Sequence, residues 1–303
     1  MDELNKEVRN INRIISEIYD EFKNVRKIDY NKHSIIKYDA SHIDRFGSFK
    51  FFKINGEYIL KPVTDENAGA YSLSLSDFIG IDNIIKDVFQ NTMKFASEKP
   101  ANNVLLWGDR GTGKSSLIRA LAKSFGEPPY LNKIKFIEVV EDTAELIYEL
   151  ITVIKTRPYR FILIFDDIAF DADSMFYKKL KSILDGGLDE LPENIIIYAT
   201  SNKRHLTKEM FSAEKPGSGF IHPEEEAEES LSLSDRFGLT YGLYSFNQEI
   251  YLKIVELYLK KYGVKTSSVD MDGVRKNAVN YALIKGSRSG RTAKQFAISL
   301  IKD

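Results

Sequence analysis

Three glycines, a lysine and two serines recur at the spacing G-x-x-x-x-G-K-[ST] in GDRGTGKSS, residues 108–116. Glycine is needed where a backbone must curl around an anion and aim successive N–H groups at it, because a Cβ would intrude. Lysine supplies a mobile cation for β and γ phosphates, and the serine after it a hydroxyl for Mg²⁺. The apolar run Val104-Leu105-Leu106-Trp107 precedes this string and the helix-forming run SLIRALAKSF follows it. A strand and a helix so placed add a positive helix N-terminus to the same anion. The candidate phosphate-binding residues are therefore Gly108, Asp109, Arg110, Gly111, Thr112, Gly113, Lys114, Ser115 and Ser116, with Ser115 the metal-facing hydroxyl.

Such a loop requires a carboxylate on the metal and a base for water. Phe161-Ile162-Leu163-Ile164-Phe165 reads as a parallel strand buried on both faces, and it ends in Asp166-Asp167. Ligands of doubly wound sheets bind at that end of the strands. Asp166 is the expected Mg²⁺ partner and Asp167 the group that orients and polarises attacking water. The competing possibility is that both merely cap the next helix. A third buried run, Ile195-Ile196-Ile197-Tyr198-Ala199-Thr200, leads to Asn202, whose amide can bridge a γ-phosphate and the lytic water, or can be an ordinary turn residue. Arg236, in SDRFG ahead of the last strand around 240–244, could stabilise charge on a transferring phosphoryl group. Near the C-terminus, GSRSGRTAKQF opens a helix with Arg288 and Arg291, one of which could report nucleotide to the C-terminal segment. Taken singly, each arginine could also be a surface ion-pair partner.

Phosphate loop, Asp-Asp strand, strand-end Asn, Arg before a strand and Arg at a late helix stand in one order, and that order resembles the AAA+ ATPases over about 75–301. More closely, the strings ANNVLLWGDRGTGKSSLIRAL, RFILIFDDIAF, IYATSNKRHL, IHPEEEAEESLSLSDRFGL and GSRSGRTAKQFA resemble the bacterial AAA+ proteins of the domain-of-unknown-function 815 family. The resemblance implies an α/β phosphate-loop NTPase fold, a parallel αβα sandwich with a C-terminal helical lid. It also implies ATP with Mg²⁺ and assembly into a homo-oligomer, a ring among the possibilities. It supplies no substrate. The segment where such chains pass the adenine holds Phe78, Ile79, Gly80 and Ile81, which could form an apolar wall with Gly80 allowing close backbone approach; plain core packing is the alternative. Most AAA+ members carry Asp-Glu where this chain, like the closer family it resembles, has Asp166-Asp167, and the shorter side chain holds its carboxylate farther from the γ-phosphate unless the backbone compensates.

Composition narrows the rest. Lys+Arg 43 against Asp+Glu 44 in 303 residues gives a net charge of -1 and no global pull toward nucleic acid. There is no cysteine, hence no disulfide or thiolate metal site, and His33, His42, His205 and His222 lack metal-ligand spacing. No apolar run approaches the ~18 residues of a membrane span, and the start MDELNKEV has no apolar signal core, so a cytoplasmic location is expected.

The chain divides into residues 1–74, an N-terminal helix-plus-hairpin module; 75–245, the αβ nucleotide-binding domain; and 246–303, the helical lid. Leu4, Val8, Ile11, Ile15, Ile18, Phe22 and Val25 form one helical stripe that docks on the chain's own core or on a partner. Asn55-Gly56 between apolar runs predicts a hairpin. Ser245 and Gln248 suggest a capping box for a helix closed by Gly263, and two more helices are expected around 271–284 and 291–301. The stretch 205–233, with the acidic run 224–229, reads as a long loop with a solvated face. Three functions remain: an ATP-hydrolysing remodeller of an unknown protein partner, a nucleotide-gated binding module or loader with slow turnover, and a DNA-associated loader. Threading is disfavoured because IEVVEDTAELIYEL, where a pore loop would lie, is acidic and lacks glycine.

Overall fold

Apolar runs bounded by turn residues set the strands of an eight-stranded sheet in the computed structural model of the chain. The structure describes residues 35–64, 73–168, 175–186, 190–202, 234–264 and 270–301. The helical stripe at 4–25 and the acidic loop at 205–233 lie outside the described residues. Every element below belongs to the unit Ile36–Asp303.

The strands are β1 (Ile36–Lys37), β2 (Ser48–Ile54), β3 (Glu57–Pro62), β4 (Val104–Gly108), β5 (Ile134–Val139), β6 (Arg160–Phe165), β7 (Ile195–Ser201) and β8 (Leu239–Leu243). Their order across the sheet is β1-β3-β2-β5-β6-β7-β4-β8. Apart from the antiparallel β2-β3 pair, all pairings are parallel. The described α-helices are α1 (Ala40–Arg45), α2 (Asp82–Ala96), α3 (Lys114–Phe125), α4 (Ile147–Ile154), α5 (Met175–Asp185), α6 (Gln248–Lys261), α7 (Met271–Ile284) and α8 (Gly290–Ser299).

Strands β4 and β7 are buried along their whole length, as expected of parallel strands covered on both faces. One face packs Leu105, Leu163, Ile197 and Phe176 with Ile147 and Leu150 of α4. The other packs Leu106, Ile162 and Tyr198 against Leu117 and Leu121 of α3 and Val88 of α2. A third core, formed by Tyr251, Val255, Ala278, Ala293 and Phe296, belongs to α6, α7 and α8. Among the described residues no helix is long and apolar enough to cross a membrane.

The Asn55-Gly56 hairpin forms with φ +50 and +80 at its two turn residues, the pair of positive angles a two-residue primed turn requires. It continues the main sheet: Ser48 of β2 stands opposite Phe136 of β5, in parallel. Phe49, Phe51 and Leu60 are all but fully buried by this docking, at about 1.5–3 kcal/mol each. Lys50 stands directly opposite Lys61, and a like-charge pair of that kind costs under about 1 kcal/mol. Burial wins, and Lys50 finds Glu138 on β5 at 3.1 Å.

One buried cation helps to fasten this edge. Lys135 of β5 is fully buried. Its Nζ donates to the carbonyls of Phe46 at 2.9 Å and Asp44 at 3.4 Å, at the C-terminal end of α1, and lies 4.5 Å from the centre of the Tyr159 ring. Desolvation pushes its pKa down to about 8.

Candidate functional site

Strand order decides which groups meet. In parallel register β7 lies between β4 and β6, so the glycine-rich loop after Gly108, the acidic pair after Phe165 and Asn202 after Ser201 leave the same sheet edge side by side. Gly111, Gly113, Lys114, Ser115, Asp166, Asp167 and Asn202 line one cleft of about 1370 Å³. The cleft also runs on past α3 to Lys50, Phe52 and Lys61 of the hairpin.

The loop is built as its glycines require. Gly108, Gly111 and Gly113 have φ of +120, +77 and +109. A Cβ on Gly108 would stand 2.2 Å from the Leu243 carbonyl oxygen. Lys114 is buried, and its Nζ donates to the carbonyls of Gly108 at 2.9 Å and Asp109 at 2.7 Å. Desolvation lowers its pKa, opposed by the nearby carboxylates of Asp167, Asp109 and Asp166. Thr112 Oγ1 donates to the Asp109 carbonyl at 2.9 Å, closing the loop on itself. Ser116 lines the cleft, whereas Gly108, Asp109 and Arg110 are not among its lining residues.

The acidic pair is tied to β7. Thr200 Oγ1 donates to Asp166 Oδ1 at 2.6 Å and accepts the Asp167 N–H at 2.8 Å. Asp167 has φ +59, a left-handed conformation that aspartate tolerates better than most residues. From there its Oδ1 accepts a hydrogen bond from Asn202 Nδ2. Asp166 Oδ2 meets Arg119 Nη2 of α3 at 3.0 Å. Sequence reasoning missed Thr200 and Arg119. Arg119 could have been found from helical periodicity, since it lies four residues, about one turn, after Ser115, but Thr200 reads simply as one more strand residue.

The C-terminal helices touch the loop directly. The Arg291 N–H donates to the Gly111 carbonyl at 3.2 Å, and a Cβ on Gly111 would lie 2.9 Å from Arg291 Cβ. Arg291 lines the cleft. Arg288 instead offers its carbonyl to the Phe246 N–H at 2.9 Å. Ser245 does not cap α6; its N–H and hydroxyl both go to Asp109 Oδ2, at 2.9 and 2.7 Å. Asn247 is the cap, accepting the Ile250 N–H at 2.9 Å. A side chain already bonded to the loop cannot also close a capping box.

Phe78, Ile79 and Ile81 line the cleft beside the loop, and a Cβ on Gly113 would meet the Phe78 ring at 3.3 Å. Gly80 has φ +82, and its close approach is to Ile250 of α6, 2.8 Å from a built Cβ. Arg236 stands elsewhere. Its Nε pairs with Asp185 Oδ1 at 2.5 Å, just ahead of β8, whose first residue Leu239 pairs with Val104 at the start of β4. That is the sheet edge opposite the phosphate loop.

A family model described as a protein of unknown function, DUF815, matches residues 44–303. The chain belongs to that family. No curated protein shows significant similarity to it. Among solved structures, this DUF815 protein is similar to the Thermotoga maritima RuvB Holliday junction branch migration motor, at 15% identity and a TM-score of 0.41 over 76% of this chain and 72% of that one. It is likewise similar to the FIGL-1 AAA domain in complex with ADP, at 16% identity and a TM-score of 0.48 over 75% and 72%.

The donor set also fits a hard divalent cation. Among the described residues there is no group of three or more acidic or histidine side chains that could cage a metal. Mg²⁺ uses one or two carboxylates and completes its shell from phosphates and water, and a hydroxyl with a carboxylate on one cleft is that kind of site.

Proposed function

We propose that this DUF815 protein is an AAA+ ATPase that binds ATP with Mg²⁺ and hydrolyses it. The observation that carries the reading is the convergence of Lys114, Ser115, Asp166, Asp167, Asn202 and Arg291 on one cleft at the C-terminal edge of a parallel sheet. In this reading the loop amides and Lys114 hold the β and γ phosphates. Ser115 and Asp166 would hold Mg²⁺, which neutralises developing phosphate charge when bound. Asp167, kept in place by Asn202, accepts the proton of the attacking water, and Asn202 orients that water. Phe78, Ile79 and Ile81 offer the base an apolar wall. Arg291 reports the phosphates to the lid, because its backbone is already fastened to Gly111.

Arg236, on the far sheet edge, serves a neighbouring subunit's site, so turnover belongs to a homo-oligomer. Its work is remodelling or loading a macromolecular partner. Purified protein should bind ATP in calorimetry and release phosphate only with Mg²⁺, at a rate per subunit that rises with protein concentration. No ATP binding at millimolar nucleotide would sink the proposal.

A further inference from the structure

We propose that Thr200 is a positioning residue for the acidic pair, an inference that rests on the roles given above to Asp166 and Asp167. One hydroxyl has one proton and two lone pairs, and Thr200 uses both functions: its proton goes to Asp166 Oδ1 and a lone pair takes the Asp167 N–H. The side chain is buried, so water does not compete for either bond. The ladder between β6 and β7 ends at Phe165 opposite Ala199. Beyond it the Thr200 carbonyl accepts the Ile168 N–H at 2.8 Å, and Ser201 Oγ donates to the Ile168 carbonyl at 2.9 Å. The chain therefore leaves β6 clamped at 166, 167 and 168 by two consecutive residues of β7.

This clamp has two chemical consequences. First, it holds the left-handed turn at Asp167, and that turn brings its carboxylate, one methylene shorter than a glutamate's, to Asn202. Second, it selects an oxygen. With Oδ1 engaged by Thr200, Oδ2 of Asp166 is the one available to a cation; it meets the exposed side chain of Arg119, which can swing into solvent. Thr200 thus presents one defined oxygen to the metal and one defined carboxylate to the water.

Thr200→Val keeps the shape and removes the hydroxyl, while Thr200→Ser keeps the hydroxyl. For Thr200→Val we expect unchanged nucleotide affinity in EDTA, a half-saturating Mg²⁺ concentration raised about tenfold, and kcat down about tenfold or more with KM little changed. Thr200→Ser should restore all of these. Amide hydrogen exchange at Asp167 reads the same bond without turnover, and its protection should be lost in the valine variant and kept in the serine variant. Unchanged protection in Thr200→Val overturns the proposal whether or not the protein hydrolyses ATP; so does equal damage in both variants together with lost nucleotide affinity in EDTA. A wild type that gains nothing from Mg²⁺ would instead count against the function assigned to the cleft.

Discussion

Asp109 Oδ2 accepts two hydrogen bonds from Ser245, one from its N–H and one from its hydroxyl. The first residue belongs to the glycine-rich loop, the second to the connection between β8 and α6. Together with the Arg291 N–H on Gly111, this fastens the C-terminal helices to the loop at two points.

A hydrogen bond to a charged group contributes about 1.5–3 kcal/mol, so Asp109→Ala should lower the thermal midpoint and weaken ATP affinity about tenfold, since ~1.4 kcal/mol is a factor of ten. Ser245→Ala, which keeps the N–H bond, should do less of both. If affinity in calorimetry stays at the wild-type value while stability falls, the link is structural and does not shape the phosphate site.

Lys114→Ala should abolish measurable ATP binding. Its ammonium is held by the loop over its own Gly108 and Asp109 carbonyls. Tight binding by this variant would count directly against the phosphate-loop assignment.

Local chemistry was legible in the chain, and distant registration was not. GDRGTGKSS and the Asp166-Asp167 strand end announce themselves because neighbours in sequence do the work. The hairpin was readable from Asn55-Gly56, but its union with the main sheet depends on Ser48 meeting Phe136, a pairing no local pattern encodes. The same applies to Thr200 with Asp166 and to Asp109 with Ser245. A serine two residues ahead of Asn247 looks like a cap until a loop carboxylate, 136 positions away in sequence, claims it.

Asp167→Asn should bind ATP as well as wild type yet lose most of its turnover. The amide keeps the size and still reaches Asn202, but it cannot accept the water's proton, so the loss falls on the transition state and spares the ground state. Calorimetry and phosphate release on one preparation separate the two. Equal losses in both would place Asp167 among the metal ligands.

Lys135 gives the fold a pH dependence whose sign is fixed. Burial lowers its pKa from 10.5 to about 8. Between those values the unfolded chain holds a proton that the folded chain has shed, so the contribution of this residue to stability rises with pH in that window and is flat below it. The full span is on the order of 3 kcal/mol, from ~1.36 kcal/mol per pKa unit. Urea midpoints of wild type and Lys135→Met at pH 7.5, 9 and 10 check it. The wild type should gain on the variant as pH increases; a constant difference would mean that Lys135 stays charged in the folded protein across that window.

Arg236 should act between subunits. Leu239 opposes Val104, so Arg236 lies before the start of β8, while the phosphate loop follows Gly108 at the other end of β4. Four residues of parallel strand alone separate the two levels by about 13 Å. Asp185, its ion-pair partner, closes α5 at that same far edge. Arg236 is not among the residues that line the cleft of its own chain, so in the proposed oligomer it would serve a neighbour's site. Arg236→Ala should therefore bind ATP normally and hydrolyse it poorly, with a loss reaching ~10³-fold where such arginines have been removed from other phosphate-loop enzymes. Mixing it with Lys114→Ala, itself inactive, should restore part of the activity, because a mixed interface can join an intact loop to an intact arginine. Breaking the Asp185 pair alone, by Asp185→Asn, should leave nucleotide binding unaltered. If mixed samples shown by mass to co-assemble recover nothing, while wild type is active at a rate per subunit independent of concentration, Arg236 is a partner of Asp185 and no more, and catalysis is complete within one chain.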